Sequence, residues 1–344
     1  MTSGVRALSA DSIERLATQA PDSRTFRAAI LERLHEVLAF EWYAWVLTDP
    51  LTAVGIDPLA AIPDIAQLPR TIRLKYLTPI NRWTALDDAA TLAPRAGESP
   101  LWREVQRDHG VVDVASLVLR DHHGCWGFLD LWSTSPFAAT DVVLLRDLAP
   151  ELTRAIRADR ARSFSPRRPR VPGPRAPHSG ASAVILLDDD LTIVGQTAGS
   201  DEWLRLLLPQ PDGQRPIPAC AYNVAAQLIA RESRVDDHEP MARMPLPTGE
   251  WVTLRAARLE PDSRIAVTIE RSTTTERLDV FARAVGLSAR EGDVLAVLAE
   301  GTDTREAAAR LFVSPNTVQD HLKSIFAKTG SHSRRELLAR AIGA

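Results

Sequence analysis

The chain has 344 residues, a formal net charge of −3 and two cysteines; 45% of its residues are apolar and 25% are charged. These proportions exclude a collagen, a largely disordered chain and a coiled-coil fibre, and at ~150 residues per domain the length favours two or three domains. Cys125 and Cys220 are too few for a disulfide framework or an all-cysteine zinc site, which favours a reducing compartment. We find neither a run of ~18 to 20 apolar residues nor an export signal, so we expect a cytoplasmic protein without a membrane anchor.

The first half of the chain alternates patterns typical of helices and of strands. Apolar residues recur at helical spacing over 22–40. Runs rich in β-branched and aromatic residues predict strands over 41–47, 111–119 and 125–132. The last two of these flank a short turn at 121–124 and should form a hairpin. A second amphipathic helix is expected over 142–157, and Pro150 should kink or split it.

The segment from Gly124 to Leu148 contains GCWGFLDLWS followed by most of PFAATDVVLLRDLA. It resembles the last two strands, the helix entry and the C-terminal helix of a GAF domain. The resemblance covers about residues 22–158 and implies an α/β sensor domain. Six of the eight tryptophans fall in this region, at positions 42, 45, 83, 102, 126 and 132. They could line a small-molecule cavity or form an ordinary core.

Composition changes sharply over residues 159–180. This segment holds six arginines, five prolines and one acidic residue and, apart from Phe164 and Val171, no large apolar side chain. It therefore predicts an extended linker with a net charge of +5. Such a linker is a solvated tether or contacts nucleic acid, and the sequence leaves both open.

The region after the linker resembles a PAS domain in the order of its elements. Strands are expected over 183–187, 191–195, 250–257 and 264–271, with helices in the middle. The resemblance covers about residues 181–271 and implies a second, α+β sensor. The run VILLDDD also suggests a phosphoacceptor receiver domain, but that family needs a lysine after its acidic residues. None lies between Lys75 and Lys323, so this alternative is excluded.

Four short helices are predicted between Thr275 and the end of the chain. Three should begin with a capping box, in which a small polar residue and a Glu three positions later satisfy exposed backbone N–H groups. The boxes pair Ser288 with Glu291, Asp303 with Glu306 and Ser333 with Glu336. The remaining helix begins at Ser314 and has Pro315 in its first position, where a missing N–H is harmless.

The helix predicted over 315–329 has one apolar and one polar face. Its inward residues are Val318, Leu322, Ile325 and Phe326. The opposite face carries polar side chains and Ala327. Such a face suits the major groove of DNA, where base edges present hydrogen-bond donors and acceptors.

Three motifs mark the C-terminal segment: LSARE at 287–291, SPNTV at 314–318 and SRREL at 333–337. They resemble the LuxR-type helix-turn-helix family. The resemblance implies an all-α four-helix domain over 275–344 with a recognition helix from Pro315 to about Lys328. It also implies a homodimer formed partly through the last helix, and a two-fold symmetric site on double-stranded DNA.

Roles within that domain follow from side-chain chemistry. Gln319, Asp320 and Lys323 are the expected readers of base edges, because Asp accepts from cytosine and Lys reaches guanine. The expected phosphate contacts are Asn316, Thr317, His321, Lys328, Arg334 and Arg335. Asp320 could instead pair within the helix with Lys323 or Ser324. No metal site is expected, because His321 has no ligand partner at a useful spacing.

The sequence therefore predicts a multidomain α+β protein: a GAF-like sensor at 22–158, a basic linker at 159–180, a PAS-like domain at 181–271 and the helix-turn-helix domain at 275–344. The favoured function is a one-component transcriptional regulator. The alternatives are an enzyme with an accessory helix-turn-helix, for which no nucleophile or phosphate-binding motif is found, and a sensory scaffold that uses this domain for protein contacts. We expect no cofactor; a small-molecule ligand and RNA polymerase are candidate partners.

Charge is unevenly distributed along this layout. Residues 310–344 carry a net charge of +4 and the linker +5, so the remaining residues carry −12. An acidic sensor pair joined through a basic tether to a basic DNA reader explains a nearly neutral total.

Overall fold

The computed structural model describes residues 8–164, 182–209, 214 and 216–343. Within these residues, two five-stranded antiparallel sheets are followed by a group of helices at the C-terminal end. The remaining part of the predicted linker, 165–180, lies outside the described residues.

The first sheet is formed by the N-terminal half of the chain. Its strands are β1 (Trp42–Thr48), β2 (Gly55–Ala61), β3 (Ala90–Thr91), β4 (Asp113–Asp121) and β5 (Gly124–Ser133). They lie in the order β2-β1-β5-β4-β3. The predicted hairpin is β4 and β5, which pair from Asp113 opposite Ser133 to Asp121 opposite Gly124.

Among its described residues, the same half of the chain contains four α-helices. They are α1 (Ala10–Gln19), α2 (Ser23–His35), α3 (Leu68–Leu77) and α4 (Ala139–Arg162), with short 3-10 segments at Ile65–Gln67, Ala93–Glu98 and Arg107–His109 and a π turn at Trp102–Gln106. Helix α2 begins where the sequence predicts, because the side chain of Asp22 accepts a hydrogen bond from the Thr25 N–H at 2.8 Å.

The second sheet repeats the strand order of the first. Its strands are β6 (Ala183–Leu187), β7 (Ile193–Gln196), β8 (Met241–Pro245), β9 (Trp251–Arg258) and β10 (Ile265–Arg271), in the order β7-β6-β10-β9-β8. Helices α5 (Ser200–Leu207) and α6 (Ala219–Glu232) form the predicted helical middle. In both sheets the first and last strands in sequence are therefore neighbours at the centre.

The two sheet regions pack against each other through α3 and α6. Tyr76 on α3 donates a hydrogen bond to the Asn223 side chain on α6 at 3.0 Å, and its hydroxyl accepts from the Gly55 N–H at 3.0 Å. Burial raises the pKa of the Tyr76 hydroxyl, so it stays a neutral donor in this contact. Both regions share one continuous apolar core with the C-terminal helices.

Five helices follow the second sheet, one more than the sequence predicts. They are α7 (Thr274–Ala284), α8 (Ala289–Ala299), α9 (Thr304–Arg310), α10 (Pro315–Thr329) and α11 (Arg334–Ile342). The additional helix, α7, begins with a capping box that the sequence contains: Thr273 accepts from the Glu276 N–H, and Glu276 accepts from the Thr273 N–H.

Of the two outcomes predicted for Pro150, a kink or a split, the split does not occur, because α4 runs unbroken from Ala139 to Arg162. Pro150 lies on the exposed side of the helix. There, solvent can satisfy the carbonyl that loses its intrahelical partner. On the other side, Leu145, Leu152 and Ile156 are at most 2% exposed and hold the helix on both sides of the proline.

The expectation that the extended linker begins at Asp159 is wrong. Residues 159–162 are the last turn of α4. Phe164 is 2% exposed and stacks on Trp251, with ring centroids 4.6 Å apart. One aromatic side chain in a basic, proline-rich run therefore belongs to the core. Four of the N-terminal tryptophans, at 45, 83, 126 and 132, are at most 1% exposed, so they are core residues.

Candidate nucleic-acid interface

Four helix starts fix the geometry of the C-terminal domain. Ser288, Asp303, Ser314 and Ser333 each accept a hydrogen bond from a backbone N–H two or three positions later. Of the three predicted capping boxes, the reciprocal bond forms at Ser288, whose N–H donates to Glu291 at 2.6 Å. At the last helix, Glu336 accepts instead from the His332 N–H at 2.7 Å. The helices therefore begin at the predicted residues even where the Glu of the capping box accepts from a different N–H group.

Helices α9 and α10 pack closely at the turn between them. Ala307 and Ala308 on α9 are at most 2% exposed, and Val318 and Ile325 on α10 are fully buried. Small side chains on α9 allow the two backbones to approach. In the turn, Phe312 adopts a left-handed conformation with φ 55° and leaves its ring 95% exposed.

The face of α10 that points away from this core is polar and open. Asn316, Gln319, Asp320 and Lys323 are all exposed. The Lys323 Nζ lies 3.0 Å from the Asp320 Oδ1, with side chains 76% and 72% exposed. The alternative of an intrahelical partner for Asp320 is thus what the structure shows, yet an ion pair this exposed is weak. Both groups are accessible to a ligand that lies along α10.

Of the remaining predicted residues, three are at least partly exposed and two, Lys328 and Arg334, have partners inside the domain. Thr317 is partly exposed, and its hydroxyl lies 2.9 Å from that of Ser314. His321 is also partly exposed, and Arg335 is exposed in the first turn of α11. These three lie at the border of the open face or on the neighbouring helix.

Lys328 is held by a buried carboxylate. Its Nζ lies 2.6 Å from the Glu291 Oε2, and the Ser324 hydroxyl donates to the Glu291 Oε1 at 2.5 Å. Glu291 is only 4% exposed. Burial raises its pKa, but hydrogen bonds from Lys328, Ser324 and the Ser288 N–H outweigh that and lower the pKa to about 2. Lys328 therefore joins α10 to the start of α8.

Arg334 also has partners inside the domain. Its guanidinium donates to the carbonyl of Leu298 at 3.2 Å and to the carbonyl of Thr302. The first carbonyl belongs to the last turn of α8, where a cation also opposes the negative end of the helix dipole. Sequence reasoning missed this contact because the partner is 36 positions away.

Residues 285–341 match the family model described as bacterial regulatory proteins, luxR family. The chain carries a LuxR-family helix-turn-helix domain at its C-terminus. Among all the described residues, within this domain and elsewhere, no group of three or more His, Cys, Asp or Glu is arranged to hold a metal ion.

Two curated relatives match a short stretch of the chain. A protein of Mycobacterium tuberculosis named as an HTH-type transcriptional regulator is 46% identical over 55 residues, which are 16% of this chain and 6% of that protein. The HTH-type transcriptional activator RamA of Corynebacterium glutamicum is 47% identical over 60 residues, or 17% of this chain and 21% of RamA. The chain thus spans only a small part of the relatives it matches.

A solved structure aligns over nearly the whole chain. It is Escherichia coli SdiA, with 13% identity, coverage of 97% of this chain and 96% of SdiA, and a TM-score of 0.36. A TM-score this low does not establish a shared fold for the two sheets. The family match is confined to residues 285–341.

The LuxR-type domain is joined to the two sheets through α7. Arg277 donates to the carbonyls of Ala341 and Arg340 on α11, at 3.0 and 3.1 Å. Arg283 donates to the carbonyl of His123, in the β4–β5 turn, at 3.0 Å. In the part of the chain that the structure describes, no helix is long and apolar enough to cross a membrane.

Proposed function

We propose that the protein is a transcriptional regulator that binds double-stranded DNA in a sequence-specific manner. The observation that carries the proposal is the open polar face of α10 in a LuxR-type domain. Names of the relatives, which describe transcriptional regulators, support it. No enzymatic activity is proposed.

Gln319, Asp320 and Lys323 are the proposed base contacts, because they project from the exposed face of α10. Asn316, Thr317, His321 and Arg335 are the proposed phosphate contacts. The sequence predicts phosphate contacts for Lys328 and Arg334 as well. Their partners within the domain favour a different role, in which they hold α10 and α11 in place for the residues that touch DNA.

We propose a homodimer on a two-fold symmetric site. Dimeric helix-turn-helix proteins place two recognition helices in successive major grooves, about 34 to 36 Å apart. The exposed face of α10 is not covered by any described part of the chain. A signal therefore does not regulate the protein by uncovering this face. We propose that it changes the distance between the two LuxR-type domains of the dimer.

The two sheets are the proposed sensors, one GAF-like and one PAS-like, within a one-component regulator. Their burial against each other and against α7 supports a signalling role, because a change in either sheet can reach the LuxR-type domain through packed contacts. Such a regulator acts where the chromosome is, so we place the protein in the cytoplasm. RNA polymerase is a further proposed partner.

The test is fluorescence anisotropy with duplexes selected in vitro from a random library. Affinity for the selected duplex should fall by about a thousandfold between 50 and 200 mM salt if a dimer neutralises at least six phosphates. Lys323→Ala should weaken the selected duplex more than a scrambled one, because it removes a base contact. Arg33→Ala, which removes a 47% exposed cation on α2, is the matched control. It should leave the affinity for both duplexes unchanged.

A protein that selects no sequence, or whose DNA affinity is insensitive to salt, would refute the proposal. It would favour the scaffold alternative, in which the domain makes protein contacts. Equal losses on selected and scrambled DNA for Lys323→Ala would refute the assignment of that side chain to a base.

A further inference from the structure

The turn between α9 and α10 carries the most exposed large apolar side chain among the described residues. The ring of Phe312 is 95% exposed, and the next such side chain, that of Ile65, is 61% exposed. Leu311, one position before the ring, packs against the core, whereas Val313, one position after it, is 36% exposed. The ring of Phe312 therefore contributes almost nothing to the packing of the LuxR-type domain.

The backbone at Phe312 is also unfavourable for this type of residue. Helix α9 ends in a Schellman motif, in which the Val313 N–H donates to the Ala308 carbonyl at 3.0 Å. The Phe312 N–H donates to the Ala309 carbonyl at 3.3 Å. This motif holds Phe312 in the left-handed region, with φ 55°, where glycine is the usual residue. The side chain thus costs stability through its Cβ and regains none through its ring, which points to a function.

The position of the ring places it beside the proposed DNA-binding face. Phe312 lies two positions before Ser314, the residue that caps the start of α10. In helix-turn-helix complexes the N-terminal residues of the recognition helix contact base edges, and the preceding helix crosses the DNA backbone. The turn that joins the two helices then lies against the duplex. Ser314, Pro315 and Asn316 are exposed as well, so the ring and the start of α10 form one open surface.

The surroundings of the ring favour DNA over a protein partner. A stable protein interface buries about 1,000 Å² or more and has an apolar core of several side chains. Within this turn, Val313 is the other large apolar side chain that is exposed, and the residues that follow it into α10 are mostly polar. A base contact needs much less apolar surface. Thymine presents a methyl group in the major groove, and phenylalanine is one of the side chains that contact it.

We propose that Phe312 contacts the methyl group of a thymine in the major groove and so contributes to sequence specificity. The inference rests on the proposed function and adds a contact from the turn to those from the open face of α10. It differs in kind from the contacts of Gln319, Asp320 and Lys323, because an apolar ring responds to one methyl group and not to hydrogen-bonding groups. Each half-site of the selected sequence should therefore contain a thymine that Phe312 reads.

The test is a uracil scan of the selected duplex with the full chain. Each thymine is replaced in turn with uracil, which removes the methyl group and keeps every hydrogen-bonding group of the base. Affinity, measured by fluorescence anisotropy at one salt concentration, should fall about fourfold at one thymine in each half-site, as expected for the loss of one buried methyl. In Phe312→Ala the same uracil should have no effect. This variant should also bind the unsubstituted duplex at least fourfold more weakly than the parent, and a scrambled duplex less than twofold more weakly.

Two further variants serve as controls. Phe312→Leu keeps an apolar side chain and should retain part of the uracil effect. Ile65→Ala, which removes a 61% exposed apolar side chain far along the chain from the turn, is the matched control and should behave as the parent does. The Phe312 variants should fold, because the exposed ring has almost no contacts to lose, and the scan of the parent needs no variant.

Four results would overturn the proposal. The first two are a scan in which no thymine methyl matters and a uracil effect that persists in Phe312→Ala. Equal losses on selected and scrambled duplexes would assign the ring to the sugar–phosphate backbone, and parental affinity for both would assign it to a protein partner. A parent that selects no sequence would refute the regulator function itself. A sequence preference that depends on Lys323 and not on Phe312 would refute this inference alone.

Discussion

Glu291 gives the sharpest prediction, because one carboxylate accepts from three donors and joins two helices of the LuxR-type domain. It accepts from the Ser288 N–H at the start of α8 and from Ser324 and Lys328 on α10. Replacing it with glutamine keeps the size of the side chain and removes the charge. The ammonium of Lys328 then loses its counter-ion, and the only remaining polar contact of this side chain with α10 is the hydrogen bond from Ser324.

The size of the expected stability loss follows from the lowered pKa of Glu291. A pKa of about 2 instead of the ordinary 4.5 means that ionised Glu291 stabilises the folded state by about 3 kcal/mol, at about 1.4 kcal/mol for each pKa unit. The amide oxygen introduced by Glu291→Gln would still accept from Ser324, and Lys328 can turn to solvent. We therefore expect this variant to lose about 2 kcal/mol at pH 7.

Hydrogen–deuterium exchange of the full chain measures this loss where it occurs. Amides in α8 and α10 should exchange about 30-fold faster in Glu291→Gln, which is what 2 kcal/mol predicts for opening of this unit. Amides in β4 and β5 should be unchanged. Glu300→Gln, which removes a 62% exposed carboxylate from the same domain, is the matched control and should change exchange by less than about twofold.

The pH dependence has a definite sign. Because the pKa of Glu291 is lowered by folding, its contribution is complete above about pH 4.5 and is lost as the pH falls towards about 2. The difference in stability between the parent and Glu291→Gln should therefore narrow by about 1 kcal/mol between pH 7 and pH 4. A difference that is below about 0.5 kcal/mol at pH 7, or that does not narrow, would refute the role assigned to this carboxylate.

Three further substitutions test the fold. Arg243→Met should lower the free energy of unfolding, measured in urea, by about 3 kcal/mol, because the fully buried carboxylate of Asp49 loses its ion-pair partner. A loss below about 1 kcal/mol would contradict this. Gly124→Ala should lower it by about 2 to 3 kcal/mol, because the new Cβ would lie 2.2 Å from the Pro50 carbonyl oxygen, and an unchanged melting temperature would show that the turn adapts. Phe312→Gly should raise the melting temperature slightly, because glycine relieves a left-handed backbone at φ 55° by about 0.5 kcal/mol net and the exposed ring adds nothing to the core; a fall would show that the ring has a partner.

The local features of the C-terminal domain could be predicted because their causes lie within a few residues. Helix starts depend on a cap and the N–H groups two or three positions later, so the starts at Ser288, Asp303, Ser314 and Ser333 follow the sequence. The buried side of α10 follows from helical spacing in the same way. The helix α7 has an equally clear cap at Thr273 and was within reach of the same rule.

Two residues have partners far along the chain that sequence reasoning did not find. The carboxylate that holds Lys328 is 37 positions away, and Phe164 is buried by an aromatic ring of β9. Composition correctly describes a basic, proline-rich run, but it cannot show that one aromatic residue in that run meets a hydrophobic surface built elsewhere. Which basic side chain is free for DNA is likewise a question of tertiary partners.

Other contacts between distant parts of the chain meet at α7, which joins the two sheets to the LuxR-type domain. Asp279 on α7 accepts from Arg243 of β8 at 2.8 Å, and the same guanidinium pairs with Asp49, after β1, at 2.7 Å. One arginine thus connects the first sheet, the second sheet and α7. Because Asp49 and Arg243 are almost fully buried, neither can leave the other cheaply. In the proposed regulator, a change at the junction of the sheets would therefore either move α7 or break this cluster. A movement of α7 would carry α11 with it, because Arg277 of α7 donates to two carbonyls of α11.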